Sequence, residues 1–175
     1  MVVLRDMRET DIEDYVRWFT SETEWMRTDA PWETENTSPE AERKSWTEYY
    51  GSVRDLPEDS FRWKFEIEWD GRHVGWVSSY TDLEYMENPL SIPAVGIDIP
   101  VSFCRDRGIG TEALRLFIRY LKEKGFSSVF TQTWSGNAAM LKVAEKLGFR
   151  TVCRMPGYRT VGGRAFDALT LKLDI

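Results

Sequence analysis

From Phe61 to Trp69 apolar and polar side chains alternate without a break, with Phe61, Trp63, Phe65, Ile67 and Trp69 interleaved with Arg62, Lys64, Glu66 and Glu68. A period of two marks a half-buried strand and turns the charged set, Glu66 and Glu68 included, toward solvent. Asp70-Gly71 then supplies hairpin-turn chemistry, and Arg72 to Tyr80 predicts the return strand, with His73 as a polar strand residue beside the turn. Upstream, Val2 to Met7 reads as a short strand. Thr10-Asp11-Ile12-Glu13 has the capping-box pattern, and Ile12, Tyr15, Val16 and Phe19 share one face of the helix it opens. Ser38-Pro39-Glu40 provides a cap and first turn for a second helix from Ala41 to Tyr50. Between these helices, Thr20 to Ser38 has no period of its own but carries Trp25, Met26, Pro31 and Trp32, which predicts a functional loop or lid.

Further along, Pro89 and Pro93 bound a connection, and Val95 to Val101 forms an apolar segment whose Pro100 cannot donate to a sheet ladder, so pairing is expected to break there. Ala113, Leu114, Phe117, Ile118 and Leu121 have helical spacing within Thr111 to Lys124, and Gly125 stops that helix. Ser128 to Thr133 predicts a strand, Asn137 to Leu147 a helix closed by Gly148, and Phe149 to Arg154 and Ala165 to Leu173 the terminal strands. The result is a mixed α and β order without repeat or linker.

Composition narrows the reading. A chain of 175 residues, 42% hydrophobic and 14% aromatic, has the apolar material for one sizeable core, so residues 1–175 are expected to form a single domain. No apolar run approaches the roughly 20 residues that span a bilayer, and the first segment carries Arg5, Asp6, Arg8 and Glu9 in place of a signal-peptide pattern. A cytoplasmic protein without membrane contact is the expectation. Two cysteines, Cys104 and Cys153, and one histidine argue against a disulfide framework, a metal site and a Ser-His-Asp triad. The net charge of -6 argues against a nucleic-acid partner and suits a cationic one, although the same charge also serves solubility.

The chemistry concentrates in Arg105-Asp106-Arg107-Gly108-Ile109-Gly110, which lies between a strand and a helix opening at Thr111-Glu112-Ala113. Glycines allow positive φ and close approach of main-chain N–H groups, and a helix N-terminus adds unpaired donors and a favourable dipole. That combination suits a pyrophosphate. The Gly-Lys-Ser/Thr ending of a Walker loop and the full G-x-G-x-x-G fingerprint are both absent.

The same loop, followed by Thr111-Glu112-Ala113-Leu114, resembles the Gln/Arg-x-x-Gly-x-Gly/Ala signature of GNAT acetyltransferases. Asn137-Ala138-Ala139-Met140-Leu141-Lys142-Val143-Ala144-Glu145-Lys146-Leu147-Gly148-Phe149 is similar to the second signature of that family, and the element order is similar over nearly the whole chain. The resemblance implies an α+β fold: a twisted, mixed and mostly antiparallel sheet, splayed at its central strands, with helices on both faces. It implies acetyl-CoA as co-substrate, held by Arg105, Asp106, Arg107, Gly108, Ile109, Gly110 and Thr111, by main-chain groups near Ile99 and Val101, and by Asn137 on the other wall. Met140 is expected to be packing or a soft contact to the pantetheine arm.

Acetyl transfer needs a neutral amine, a polarised carbonyl and a proton for the departing thiolate. Asp98, the lone carboxylate in Val95-Gly96-Ile97-Asp98-Ile99, is the leading base. Gly96-Ile97-Asp98 also resembles the active-site strand of aminoglycoside 6'-N-acetyltransferases, with a shorter link to the glycine loop. A solvated or arginine-paired Asp98 is the alternative, and Glu66 and Glu68 compete for the same role although alternation turns them toward solvent. The family's usual Tyr is replaced by Ala144, and the Ser of ribosomal-protein-type members by Met140. Tyr158, Tyr80 or Cys153, or solvent directly, is left to protonate the thiolate. An acceptor is expected against the Thr20 to Ser38 loop, with Trp25, Asp29, Trp32 and Glu33 as contacts and Glu22, Glu24 and Glu35 nearby, unless the loop is merely a solvated acidic one pinned by its tryptophans. The acceptor is a small polycation or a protein N-terminus, as in the aminoglycoside 6'-type or ribosomal-protein-type branches, on a monomer or homodimer. A catalytically silent acyl-CoA sensor is the competing class.

Overall fold

In the computed structural model, which describes residues 1–32 and 37–175, Asp70 and Gly71 both take positive φ (50° and 75°). A two-residue turn of that kind matches the twist of the strands it joins. It links β2 (Lys64–Trp69) to β3 (Arg72–Tyr80), while β1 (Val2–Arg5) pairs on the outer side of β2. With β4 (Ala94–Asp98), β5 (Ser128–Trp134), β6 (Arg150–Val161) and β7 (Arg164–Asp174) they form a seven-stranded sheet in the order β1-β2-β3-β4-β5-β7-β6. All neighbours are antiparallel except β4 and β5, whose parallel ladder is reduced to the single pair Ala94↔Phe130. The Thr131 hydroxyl adds one bond to the Val95 carbonyl (2.8 Å), and beyond it the two strands diverge. The splay at the central strands is present, and β4 ends two residues before Pro100, short of the expected Val101.

Helices cover both faces. α4 (Ile109–Glu123) and α5 (Ala138–Leu147) bury Ala113, Leu114, Phe117, Leu121 and Ala144 against Ile67, Val77, Val95 and Val129. On the opposite face, α1 (Asp11–Thr20), a 3-10 turn at Thr23–Trp25, the short α2 (Met26–Asp29) and α3 (Pro39–Val53) close over a second cluster that includes Tyr15, Trp18, Trp25 and Trp76. No described helix is long and apolar enough to cross a membrane.

Local chemistry sets most helix ends. Ser38 accepts the Ala41 N–H (3.1 Å) with Pro39 in the first turn of α3, Asn137 accepts the Met140 N–H (3.0 Å) at the start of α5, and Gly148 (φ 89°) ends it. At α1 the expected Thr10 cap does not form. The Asp11 carboxylate instead reaches back to the Arg8 N–H (2.7 Å) and takes the Arg5 guanidinium on both oxygens (2.7 and 2.8 Å). β6 and β7 run longer than predicted, turning at Gly162 and Gly163 (φ 55° and 77°). A bulge between Met155 and Arg159 accommodates Pro156 and Gly157, and Asp167 accepts the Gly157 N–H (2.9 Å).

The polar side of β2 departs most from the reading of its alternation. Glu66 is 1% exposed, and only Glu68 retains moderate exposure, paired with Arg5 and Arg8. Alternation assigns side chains to two faces; it does not say that α1 and α3 cover the polar one.

Candidate active site

Where β4 and β5 part, a cavity of about 260 Å3 opens beside the glycine loop. Asp106 and Gly108 take positive φ (57° and 78°), which turns the chain sharply so that Gly108 caps α4 and its carbonyl accepts the Glu112 N–H (3.0 Å). The preceding N–H groups of a helix have no partner within it and face its N-terminal end, where an anion is favoured. Arg105, Asp106, Gly108, Gly110 and Thr111 form this wall. A Cβ on Gly110 would lie 3.4 Å from the Ile99 Cδ1, so the missing side chain keeps that wall thin. Ile97, Asp98 and Ile99 supply the strand side, and Asn137, Met140, Lys142 and Lys146 of α5 face them. Lys142 and Lys146 lie one helical turn apart and bring positive charge with Arg105; their i,i+4 spacing opposite the loop was the available sequence signal.

Three expected cofactor contacts turn their side chains elsewhere. Ile109 is a core residue, 3% exposed, the Arg107 guanidinium lies over the Trp69 ring at 5.7 Å, and Val101 packs against both apolar clusters. Only main-chain groups of these residues remain for a ligand.

Asp98, Trp25, Thr28 and Asp29 also line the cavity. Burial foremost, and then the Asp29 carboxylate, push the Asp98 carboxyl well above the usual carboxylate range, while Lys64 pulls it back. Gly75 makes room for this end of β4, since a Cβ there would lie 2.0 Å from the Asp98 carbonyl oxygen. α2 is tied down by Trp134, whose Nε1 donates to the carbonyls of Thr28 (3.2 Å) and Asp29 (2.8 Å). Gly136 is required by the same ring, because a Cβ would meet it at 1.8 Å. Trp25, 7% exposed, donates to the Trp18 carbonyl (3.0 Å) and is a core residue as well as a cavity wall.

Asp29 also lines a second, wider cleft of about 530 Å3, together with Trp32, Tyr80, Asp82, Glu84, Trp134 and Arg159. Trp32 stands edge-on to Trp134 and carries the Arg159 guanidinium 4.2 Å from its ring, and Arg159 is ion-paired with Glu84. Glu33 and Glu35, expected near an acceptor, lie outside the described residues. The structure does not bring Tyr158 to the cavity: it projects from β6 against Tyr85, 42% exposed. Cys153 is likewise absent from the cavity lining, and Tyr80 belongs to the second cleft.

Beneath α1 and α3 lies a polar network that alternation hid. The His73 Nε2 meets Glu66 (2.8 Å), its Nδ1 meets Asp14 (3.0 Å), and the Tyr15 hydroxyl donates to Glu66 (2.6 Å). Burial opposes charge on His73, but Asp14 and Glu66 more than offset it, so its pKa lies above the ordinary value. Lys64, 11% exposed, extends into a box of rings, its Nζ 4.1 to 5.1 Å from the centroids of Tyr15, Trp46, Tyr49 and Trp76.

The sheet opens at its one parallel pair, and a glycine turn and a helix N-terminus stand at the opening. Residues 2–150 match the family described as the Acetyltransferase (GNAT) domain, and the chain belongs to that family. Its acetyl donor is acetyl-CoA, for which the anion-binding turn and the basic residues facing it are a fitting set. The fold is similar to that of an N-acetyltransferase from Staphylococcus aureus Mu50 (16% identity, 99% of this chain and 98% of that one, TM-score 0.72). It is also similar to yncA from Salmonella typhimurium, determined with its cofactor acetyl-CoA (18% identity, 99% and 94%, TM-score 0.72). A third structure, the ribosomal-protein-S5-alanine acetyltransferase from Vibrio fischeri, superimposes with a TM-score of 0.74 (19% identity, 99% and 92%). No curated protein matches the sequence.

Proposed function

We propose that this chain is an N-acetyltransferase that moves the acetyl group of acetyl-CoA to a primary amine, with Asp98 as the base. The observation that carries this reading is Asp98 itself, a half-buried carboxylate with a raised pKa in the lining of the cavity that the α4 N-terminus also lines. Acetyl-CoA supplies a thioester, which an amine attacks directly. The start of α4, Arg105, Lys142 and Lys146 hold its phosphates, and the unpaired main chain beyond Ala94 lies along the arm. Asp98 removes the amine proton as the C–N bond forms and the C–S bond breaks. A raised carboxyl pKa suits that role, because it narrows the gap to the ammonium that must be deprotonated. Solvent protonates the thiolate, since Tyr158 and Cys153 stand away from the cavity lining.

The acceptor approaches through the second cleft, which shares Asp29 with the cavity. Among the described residues of the cleft, Asp29, Asp82 and Glu84 face one cation, Arg159, and with Trp32 and Trp134 as walls they favour a small cationic amine over a protein N-terminus.

Release of free thiol from acetyl-CoA, followed across a panel of mono- and polyamines and N-terminal peptides, tests this. Amine-dependent thiol release is expected. Tight acetyl-CoA binding without release beyond hydrolysis would instead identify a silent acyl-CoA sensor. Asp98→Asn is expected to lower kcat by about 10²–10⁴-fold with little change in acetyl-CoA affinity, and a near-normal rate removes Asp98 as the base.

A further inference from the structure

Lys64 is a buried cation whose role in the fold is hard to justify on stability alone. Among the described residues its ammonium has one carboxylate within ion-pair reach, Glu66 at 3.9 Å, too far for a hydrogen bond, and Glu66 already spends its other oxygen on Tyr15 and His73. Four aromatic rings stand around the same ammonium. Cation–π attraction offsets part of the lost hydration, yet an apolar side chain of the same length would fill this box without any desolvation cost. A charge kept in such a place calls for a use.

The strand register suggests one. Glu66 pairs with Trp76 and Trp76 with Asp98, so the three side chains form one row across β2, β3 and β4 on the face beneath α1 and α3. Lys64 starts in the adjacent row of the same face, opposite Ser78, and its Nζ reaches to 5.1 Å from the Trp76 ring that separates Glu66 from Asp98. Asp98 is thus set between two influences of opposite sign, Asp29 in the cavity and Lys64 in the wall behind it. We infer that Lys64 is a positioning residue for acetyl transfer: a cation fixed in an aromatic box of the chain's own making, which holds Asp98 as the carboxylate that takes the acceptor's proton.

The surroundings are consistent from every side. Glu66 on β2, Asp98 on β4 and Asp11 on α1 are the acids that act on Lys64, and Tyr15 of α1 and Tyr49 of α3 face it through their rings. Burial outweighs the three acids and lowers the ammonium to about 8, so the cation is present through neutral pH and begins to be lost just above it. Asp98 would then be hardest to ionise where Lys64 is neutral.

The inference rests on Asp98 being the base, and its test does not require the acceptor. Carboxyl 13C NMR follows the Asp98 titration, assigned by the signal lost in Asp98→Asn. In Lys64→Met, which keeps the length and fills the box, the Asp98 midpoint is expected to rise by about one pH unit or more, a tenfold change in its protonation equilibrium. Lys64→Arg, which keeps the charge, should hold it near the wild-type position. Linkage demands the reciprocal effect, so the Lys64 side-chain midpoint should fall by a matching amount in Asp98→Asn. That second measurement stands even if Lys64→Met folds poorly. A Lys64 midpoint unchanged in Asp98→Asn, or an Asp98 midpoint unmoved in a folded Lys64→Met, overturns the inference. If Asp98→Asn keeps the acetylation rate, the base assignment fails first; if it is slow and the midpoints are uncoupled, the Lys64 role alone fails.

Discussion

The glycine-turn wall of the cavity and the layer beneath α1 and α3 are built on different principles. The first is made of consecutive residues: Asp106 and Gly108 turn the chain and α4 begins, so this wall is complete within one loop and one helical turn, and α5 only faces it. The second is assembled across the fold, with Asp11, Asp14 and Tyr15 from α1, Glu66 and Lys64 from β2, and His73 from β3. Its parts lie as far apart as residues 11 and 73. A local device survives damage elsewhere, whereas a distributed one depends on the stability of the whole layer.

The contrast can be broken by substitution. Glu66→Ala removes the partner of both His73 and Tyr15 and should cost about 3–5 kcal/mol in urea unfolding, the range for breaking a buried pair. The acetyl-CoA affinity of the folded fraction should be retained; a protein of wild-type stability would show that the network does not support the fold. Gly108→Val acts in the opposite way. A β-branched residue at φ 78° carries about 1–3 kcal/mol of backbone strain, so the dissociation constant for acetyl-CoA should rise roughly tenfold to a hundredfold in calorimetry. Unchanged affinity would separate the loop from the donor site.

Smaller effects sharpen the comparison. Asn137→Ala loses the cap of α5 and should lower stability by about 1 kcal/mol, together with a weaker donor affinity, since the same residue lines the cavity. The smallest effect is a pH dependence. The raised pKa of His73 stabilises the fold fully below its ordinary value of 6.5, and that contribution declines as pH rises through the higher folded value. Lys64 works in the reverse sense: with its pKa lowered from 10.5 to about 8, the fold is relieved of a burial penalty as pH rises through that window. Melting temperatures of wild type and His73→Asn should therefore converge above pH 6.5, and a constant gap between them would mean that His73 does not change its charge on folding.

The same division explains what the sequence made legible. The loop from Arg105 to Gly110, the cap at Asn137, the stop at Gly148 and the turn at Asp70-Gly71 each depend on residues within a few positions, and all were readable. Asp98 stood out as the one charge in an apolar strand, and the cavity contains it. Alternation turns Glu66 toward solvent and leaves His73 a plain polar strand residue, because period two distinguishes two faces and cannot tell water from a second layer of helices. Gly75 and Gly136 carried no local signal, because each makes room for a group fixed by tertiary contact, the Asp98 carbonyl and the Trp134 ring. The Thr10 cap failed for the same reason, with Arg5 of β1 fixing the Asp11 carboxylate.

The single rung Ala94↔Phe130 has a consequence for the sheet as a whole. A seven-stranded sheet ordinarily has two edges, at its outer strands. This one has two more in its interior, where the ends of β4 and β5 present amide groups to each other across a gap. An interior edge is shielded from other proteins by the strands around it, so it avoids the aggregation hazard of an outer one, yet it still offers a ladder to any slender molecule that carries amides of its own. Recognition there depends on the width and spacing of the backbone, and it tolerates side-chain change on either strand far better than any pocket lined by side chains.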